Sequence, residues 1–174
     1  MQMHRLIRKA GTVVNIEKIL SQTVLNSWKS VTERASTLIA QLSEEQIQSE
    51  IAPGRNRVIY VVGHLTAVSD RMFPLLGVGE RRFPNLDTAY IEHPDRTEAD
   101  PLAPADLKAA WQDLATRLTD ALEAFTPEEW LQKHTSVSDA DFAKDPGRNR
   151  MAVVLTRTNH ISYHIGQLML TVSP

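Results

Sequence analysis

Four stretches of the chain carry apolar residues at intervals of three and four, the spacing of one face of an α-helix. They predict helices over about residues 14–42, 56–76, 104–125 and 149–171. The intervening segments are rich in Pro, Gly and polar residues, and none alternates between apolar and polar residues as a half-buried strand does. The pattern therefore predicts an all-α fold, a four-helix bundle.

The connections between these helices differ in length. Residues 43–46 have the composition of a helix start with a capping box, and residues 126–129 resemble another helix start. Residues 77–103 contain three prolines and no sustained helical period. Connections of this length are uncommon in compact domains, so we expect this one to be a crossover, a lid or an interface segment.

One pentapeptide occurs twice. Pro53-Gly54-Arg55-Asn56-Arg57 recurs letter for letter at residues 146–150, each time opening a predicted helix. Two related helical hairpins explain this repeat, and coincidental turn chemistry is the alternative. Cations at a helix N-terminus oppose the helix dipole. We therefore expect these arginines to pair with nearby glutamates or, alternatively, with an anionic ligand.

Composition limits the function classes. The 174 residues are expected to form one domain, 1–174, with a net charge of −2 and no basic run. This balance argues against nucleic-acid and membrane partners. The chain has no cysteine, so any thiol that it handles must belong to a substrate. No apolar run approaches the length of a membrane span or forms a signal peptide, and we expect a cytoplasmic protein.

The histidines carry the candidate chemistry. His160 and His164 are four residues apart, so on a helix they point the same way. Two imidazoles make a weak metal site, and a catalytic metal usually takes three protein ligands. Of the other four histidines, only His64 sits within a strongly apolar predicted helix, whereas the rest are in terminal or polar segments: His4, His93 and His134.

The helix rise allows a check on His64. At about 1.5 Å per residue, antiparallel second and fourth helices with flush ends place His64 level with the midpoint of His160 and His164. Parallel helices would miss by about 8 Å. The antiparallel arrangement requires the second and third helices to run the same way, and residues 77–103 are long enough to cross over.

A known family shares these residues. Gly63-His64-Leu65 followed by His160-x-x-x-His164-x-Gly166-Gln167 resembles the DinB/YfiT-like superfamily, over essentially the whole chain. The resemblance implies an up-down-down-up bundle with a long crossover between helices 2 and 3. It also implies a divalent metal, zinc or nickel, held by His64, His160 and His164, and a homodimer. Some members transfer low-molecular-weight thiols or isomerise substrates with their help, and others look like hydrolases or have no assigned activity.

Three neutral imidazoles would leave the metal its full charge and an open position, where a bound water or thiol becomes easier to deprotonate. Hydrolysis usually also needs a carboxylate base. No acid follows Asp145, and Asp70 lies about 240° from His64 around the helix axis. We therefore favour a metal-dependent enzyme that acts on a small molecule, with thiol transfer as the leading reaction. The alternatives are a metal-dependent hydrolase and a non-catalytic dimeric bundle that binds a ligand or keeps metal for stability.

Other residues share the predicted face of the site. Tyr60 and Arg157 are candidate substrate-binding residues, the alternatives being a tyrosine at the core edge and a solvated arginine. Gln167 either hydrogen-bonds a ligand imidazole or is an ordinary surface residue. Gly63 and Gly166 each cost about 1 kcal/mol relative to alanine in a helix, so we expect them to make room for close packing or for substrate.

Overall fold

The computed structural model describes residues 7–9 and 12–172, and most of them are helical. The elements in chain order are β1 (Ile7–Lys9), β2 (Thr12–Val14), α1 (Ile16–Gln41), α2 (Glu44–Gln48), α3 (Val58–Asp70), α4 (Met72–Leu76), α5 (Pro104–Glu123), α6 (Pro127–Trp130), α7 (Asp139–Lys144) and α8 (Arg150–Leu168). The predicted all-α fold is confirmed. Its four long helices are α1, α3, α5 and α8.

Two short strands depart from the purely helical expectation. β1 and β2, the only strands in the part of the chain that the structure describes, pair antiparallel with Ile7 opposite Val14. Both contain β-branched residues, which favour extended backbone. Each strand has three residues, too few to produce a recognisable alternating pattern.

The helix predicted over residues 56–76 is divided in two. α3 ends at Asp70, Arg71 forms a turn, and α4 begins at Met72. Pro74 explains the break, because proline lacks the N–H that would bond to the carbonyl of Asp70, and its ring clashes with that carbonyl. The other helices keep the predicted positions but are shorter at their ends, and the last one finishes in a 3₁₀ turn over Met169–Thr171.

Two buried tryptophans join α1 to α5. The indole N–H of Trp28 donates to Thr119 Oγ1, and that of Trp111 donates to Ser36 Oγ. Both side chains are almost fully buried. A residue at the middle of α1 thus meets one late in α5, and a residue late in α1 meets one early in α5. The two helices therefore run in opposite directions.

α3 and α5 run in the same direction. Arg57, just before α3, forms an ion pair with Asp100, just before α5. Beyond the other end of α3, the ring of Phe73 lies beneath the guanidinium of Arg117, which is on the later half of α5. The connection between the two helices therefore returns along the bundle, as a crossover does.

This crossover, residues 77–103, packs against α3. It contains a 3₁₀ turn at Pro84–Leu86 and a π-helical turn at Thr88–Glu92, and Tyr90 in the second turn is almost fully buried. A Cβ added to Gly63 would lie 2.4–2.6 Å from the Tyr90 ring. Gly63 therefore makes room for close packing of the crossover on α3.

The repeated pentapeptide opens equivalent structures. In each copy a one-turn helix with a capping box, at Ser43 or at Thr126, precedes the repeat. An isolated β-bridge then joins the following segment to the start of the long helix, as Glu50 with Arg57 and as Lys133 with Asn149. The second connection is longer and holds α7. These shared features support two related helical hairpins.

In the described part of the chain, the arginines of the repeat form no ion pair with a glutamate. Arg57 pairs with two aspartates of the crossover, Asp95 and Asp100, and these hydrogen bonds raise its pKa. Arg150 lies over the ring of Phe125 instead, with 4.9 Å between its Cζ and the ring centroid. In these two positions the arginines stabilise the ends of the bundle.

Within residues 7–9 and 12–172, no helix combines the length and the apolar character needed to cross a membrane.

Candidate metal centre

α3 and α8 run in opposite directions and bring the three predicted histidines together. Asn56, before α3, and Leu170, after α8, line the same cavity, so the start of one helix lies near the end of the other. Nε2 of His160 is 3.3 Å from Nε2 of His64 and 3.1 Å from Nε2 of His164. All three rings therefore point their Nε2 atoms at one place.

His64 is oriented by the crossover. Its Nδ1 lies 2.9 Å from the main-chain oxygen of Tyr90. A carbonyl oxygen only accepts hydrogen bonds, so Nδ1 carries the proton and donates it. The neutral ring then keeps a lone pair on Nε2, which is the atom that faces the other two histidines.

His164 is oriented in the same way by a side chain of its own helix. Its Nδ1 donates to Oε1 of Gln167 over 2.7 Å. The amide nitrogen of Gln167 donates in turn to the hydroxyl of Tyr163, which fixes the amide so that its oxygen faces the imidazole. Nε2 of His164 is therefore also left with a lone pair.

His160 differs from the other two. Its Nδ1 lies 3.3 Å from Nη1 of Arg157, and a guanidinium can only donate. A neutral His160 then carries its proton on Nε2, between the Nε2 atoms of His64 and His164. For all three Nε2 lone pairs to face one ion, His160 has to take the other tautomer and give up this contact with Arg157.

Burial keeps the three imidazoles neutral. Burial, together with the smaller effects of the neighbouring His164, Arg157 and His64, lowers the pKa of His160 to about 4. Burial also lowers the pKa of His64 and of His164, against the opposing effect of their hydrogen bonds to Tyr90 and Gln167. Neutral imidazole is the form that binds metal. Three such nitrogens within 4.8 Å of one another fit a divalent ion of the zinc or nickel kind.

Two of the three histidines, His64 and His164, line a cavity of about 680 Å³. Its wall consists of His64 and His164 together with mostly apolar and uncharged polar residues: Ile51, Ala52, Arg55, Asn56, Tyr60, Val61, Ile91, Tyr163, Gln167 and Leu170. Among these described residues Arg55 is the only one with a permanent charge, and none is a carboxylate. A second cavity, of about 510 Å³, lies between α1 and α5 and contains no histidine.

The comparison with protein families agrees with this geometry. The model of the DinB superfamily matches residues 27–168, more than half of the chain and a range that includes all three histidines. The chain belongs to the DinB superfamily. No curated protein matches it. Membership in the DinB superfamily and the three-histidine cluster are both compatible with a bound divalent metal.

In this DinB-superfamily chain the remaining predicted site residues differ in where they lie relative to the cavity and the histidines. Tyr60 lines the cavity, and its hydroxyl donates to the main-chain oxygen of His93. Gln167 contacts His164. Arg157 is half-buried rather than fully solvated. It contacts Nδ1 of His160, and it is not among the residues that line the cavity. No atom lies within 4 Å of a Cβ added to Gly166, so that glycine leaves open space.

Tyr90 is the residue that sequence reasoning missed. It belongs to the segment without helical period, where no pattern singles out a buried residue. The one signal was indirect, since a glycine within an apolar helix, Gly63, indicates that something packs closely there. The sequence does not show which residue does so. His4 lies outside the described residues.

Proposed function

We propose that this chain is a metal-dependent enzyme that acts on a small molecule, with a divalent ion, zinc or nickel, held by His64, His160 and His164. The observation that carries the proposal is the convergence of three Nε2 atoms at the wall of a cavity of about 680 Å³. Small-molecule sites typically have volumes of about 300–1,000 Å³. The cavity therefore has room for a substrate beside the ion.

Transfer of a low-molecular-weight thiol is the reaction that the wall of the cavity favours. Metal-assisted hydrolysis usually needs a carboxylate as general base, and the described residues that line the cavity include none. Asp70, the acid nearest to His64 along α3, is fully buried and accepts hydrogen bonds from Arg81 and from two main-chain N–H groups. It is therefore already occupied in holding the crossover.

A thiol bound to a divalent ion at this site would lose its proton without help from a side chain, and the thiolate is the nucleophile. Because the chain has no cysteine, the thiol is a substrate. Ile51, Ile91 and Leu170 supply apolar surface along the cavity, which suits an apolar electrophile. Burial raises the pKa of Tyr60, so its phenol stays protonated and keeps its hydrogen bond to the main chain.

The test is turnover by metal-loaded protein. We would measure product formation from a chromogenic aryl halide with a panel of small thiols, and release of nitrophenol from an ester without thiol. The proposal predicts thiol-dependent turnover that His160→Ala abolishes and that His134→Ala retains, since His134 lies outside the cluster. Ester hydrolysis without a thiol would indicate a hydrolase instead. If metal is demonstrably bound and the protein catalyses neither of the two reactions, an enzymatic role with these substrates is contradicted.

A further inference from the structure

The internal repeat relates α3 to α8 position by position. Pro53 corresponds to Pro146, an offset of 93 positions, and the five identical residues fix this register. Continued along the two helices, the same offset gives each histidine of the centre a counterpart in the other copy. It maps His64, His160 and His164 onto Arg157, Ala67 and Arg71 respectively.

The two arginines among these counterparts lie on the same side of the histidine centre. Arg71 follows His64 along the direction of α3, and Arg157 precedes His160 along α8. Because the helices are antiparallel, both arginines are displaced toward the same end of the pair, away from the cavity. Arg71 is seven residues after His64, and Arg157 is seven residues before His164. Seven residues are about two turns of helix, so both arginines project from the faces that carry the histidines, where α3 and α8 meet.

The charges around this place do not balance. Arg71 and Arg81 both pair with Asp87, and Arg81 also pairs with Asp70, so these two acids match these two bases. Arg157 is additional. In the part of the chain that the structure describes it has no acidic partner, and its buried Nε has no hydrogen-bond partner.

Arg157 is half-buried, and its Nε is fully buried. A cation in such a place without a counter-charge is unfavourable, and burial lowers the pKa of Arg157 accordingly. Within residues 7–9 and 12–172 the guanidinium has one polar contact, through Nη1 to Nδ1 of His160, which leaves most of its donors unused there. The side chain of Arg71 is 44% exposed, so a small ligand can approach this pair of arginines from solvent. Planar guanidinium groups match the geometry of carboxylate and phosphate oxygens.

We propose that Arg157 and Arg71 form a binding site for a small oxyanion, of the phosphate or carboxylate kind, on the side of the histidine centre opposite to the cavity. The offset of 93 positions makes Arg157 the counterpart of His64, and Arg71 the counterpart of His164. At these equivalent positions of the repeat, the histidines would bind a cation and the arginines would bind an anion. The proposal does not depend on a bound metal.

Metal-free protein provides the first test. Thermal unfolding would be followed with sodium phosphate at low millimolar concentration and, at matched ionic strength, with sodium chloride. The protein has a net charge of −2, so general attraction of anions is not expected. A phosphate concentration of ten times the Kd is expected to raise the Tm by roughly 3–6 °C relative to chloride. Sodium acetate in a parallel series distinguishes a carboxylate site from a phosphate site.

Arg157→Met is the deciding variant, because methionine fills similar space without charge. We expect it to abolish the response to phosphate and acetate and to raise the Tm without added anion, since an unpaired buried cation is removed. A residue with only a structural role would lose stability on this change. Arg157→Lys keeps the charge and is expected to retain part of the response. Arg157→Gln replaces the methionine variant if that protein does not fold.

Arg148→Gln is the matched control. Arg148 is an exposed arginine just before the same helix, so its loss is expected to leave the response to phosphate unchanged. Isothermal titration of phosphate into the metal-free proteins gives a direct measure of binding. No phosphate or acetate response in the wild-type protein would overturn the proposal. A response of equal size in wild-type protein and in Arg157→Met would overturn it as well.

Discussion

The main-chain oxygen of Tyr90 accepts a hydrogen bond from Nδ1 of His64, with 2.9 Å between the two atoms. The ring of the same tyrosine lies against Gly63, the residue before that histidine. The crossover thus holds both the tautomer and the position of His64. The histidine centre therefore depends on a segment outside the four long helices.

Replacing Gly63 by alanine is expected to disturb this contact. The added Cβ would lie 2.4–2.6 Å from the Tyr90 ring, and Tyr90 is 1% exposed. Overpacking of this kind typically costs about 1–3 kcal/mol. We expect urea unfolding to show this loss in the free energy of unfolding, together with weaker metal binding because the carbonyl of Tyr90 shifts away from His64.

Gly166→Ala is the matched control in the last helix. A Cβ at Gly166 meets no atom within 4 Å, and alanine is favoured over glycine in a helix interior by about 1 kcal/mol. The free energy of unfolding is therefore expected to rise by roughly 0.5–1 kcal/mol. If the free energy of unfolding changed in the same direction in both alanine variants, the close packing of Tyr90 on Gly63 would not explain the change measured for Gly63→Ala.

Gln167 is expected to affect metal affinity more than stability. Its Oε1 accepts the Nδ1 proton of His164, and loss of such a partner typically lowers metal affinity about 10–100-fold. Competition with a chromogenic chelator would measure this for Gln167→Ala. Tyr163→Phe removes the hydroxyl that Gln167 contacts but leaves the amide beside His164, so a smaller effect is expected there. Unchanged affinity in Gln167→Ala would show that this hydrogen bond does not support the centre.

Asp87 gives the fold a dependence on pH. Hydrogen bonds from Arg81, and then from Arg71, hold the pKa of Asp87 below its usual value, against the opposing effect of burial. Because the pKa of Asp87 is lower in the folded than in the unfolded protein, its ionised form stabilises the fold at pH values above the usual carboxyl pKa, near 3.8. This contribution is lost as the pH falls through the lower pKa of the folded protein. Asp87→Asn is expected to cost roughly 1–3 kcal/mol at pH 7, because it leaves two arginines short of a partner.

The measurement that checks this is urea unfolding of both proteins between pH 7 and pH 2.5. The difference between wild-type protein and Asp87→Asn should shrink as Asp87 becomes protonated. A difference that stays constant over this range would contradict the assignment of the pH dependence to Asp87.

The histidine centre can be derived from the sequence because its geometry follows from helix regularity. His160 and His164 are four residues apart on one helix, and the rise per residue places His64 level with them when the helices are antiparallel. Both relationships depend only on the periodicity of the α-helix. The same periodicity identifies the four long helices and hence the all-α fold.

Other features depend on contacts that no local pattern records. The break after Asp70 comes from Pro74, four residues later. Whether such a proline ends a helix or divides it depends on what packs beyond it. The contact of Arg157 with His160 is a matter of tertiary geometry, because an arginine among polar residues has the sequence signature of an exposed side chain. The carbonyl of Tyr90 is a main-chain atom and leaves no residue-type signal at all.

The most direct test of the histidine centre is the metal content of the purified, untagged protein beside that of a His160→Ala variant. The account predicts about one zinc or nickel ion per chain in the wild-type protein and its loss in the variant, with the helical content of both unchanged. Absence of metal from both proteins, even after incubation with Zn²⁺ or Ni²⁺, would contradict it.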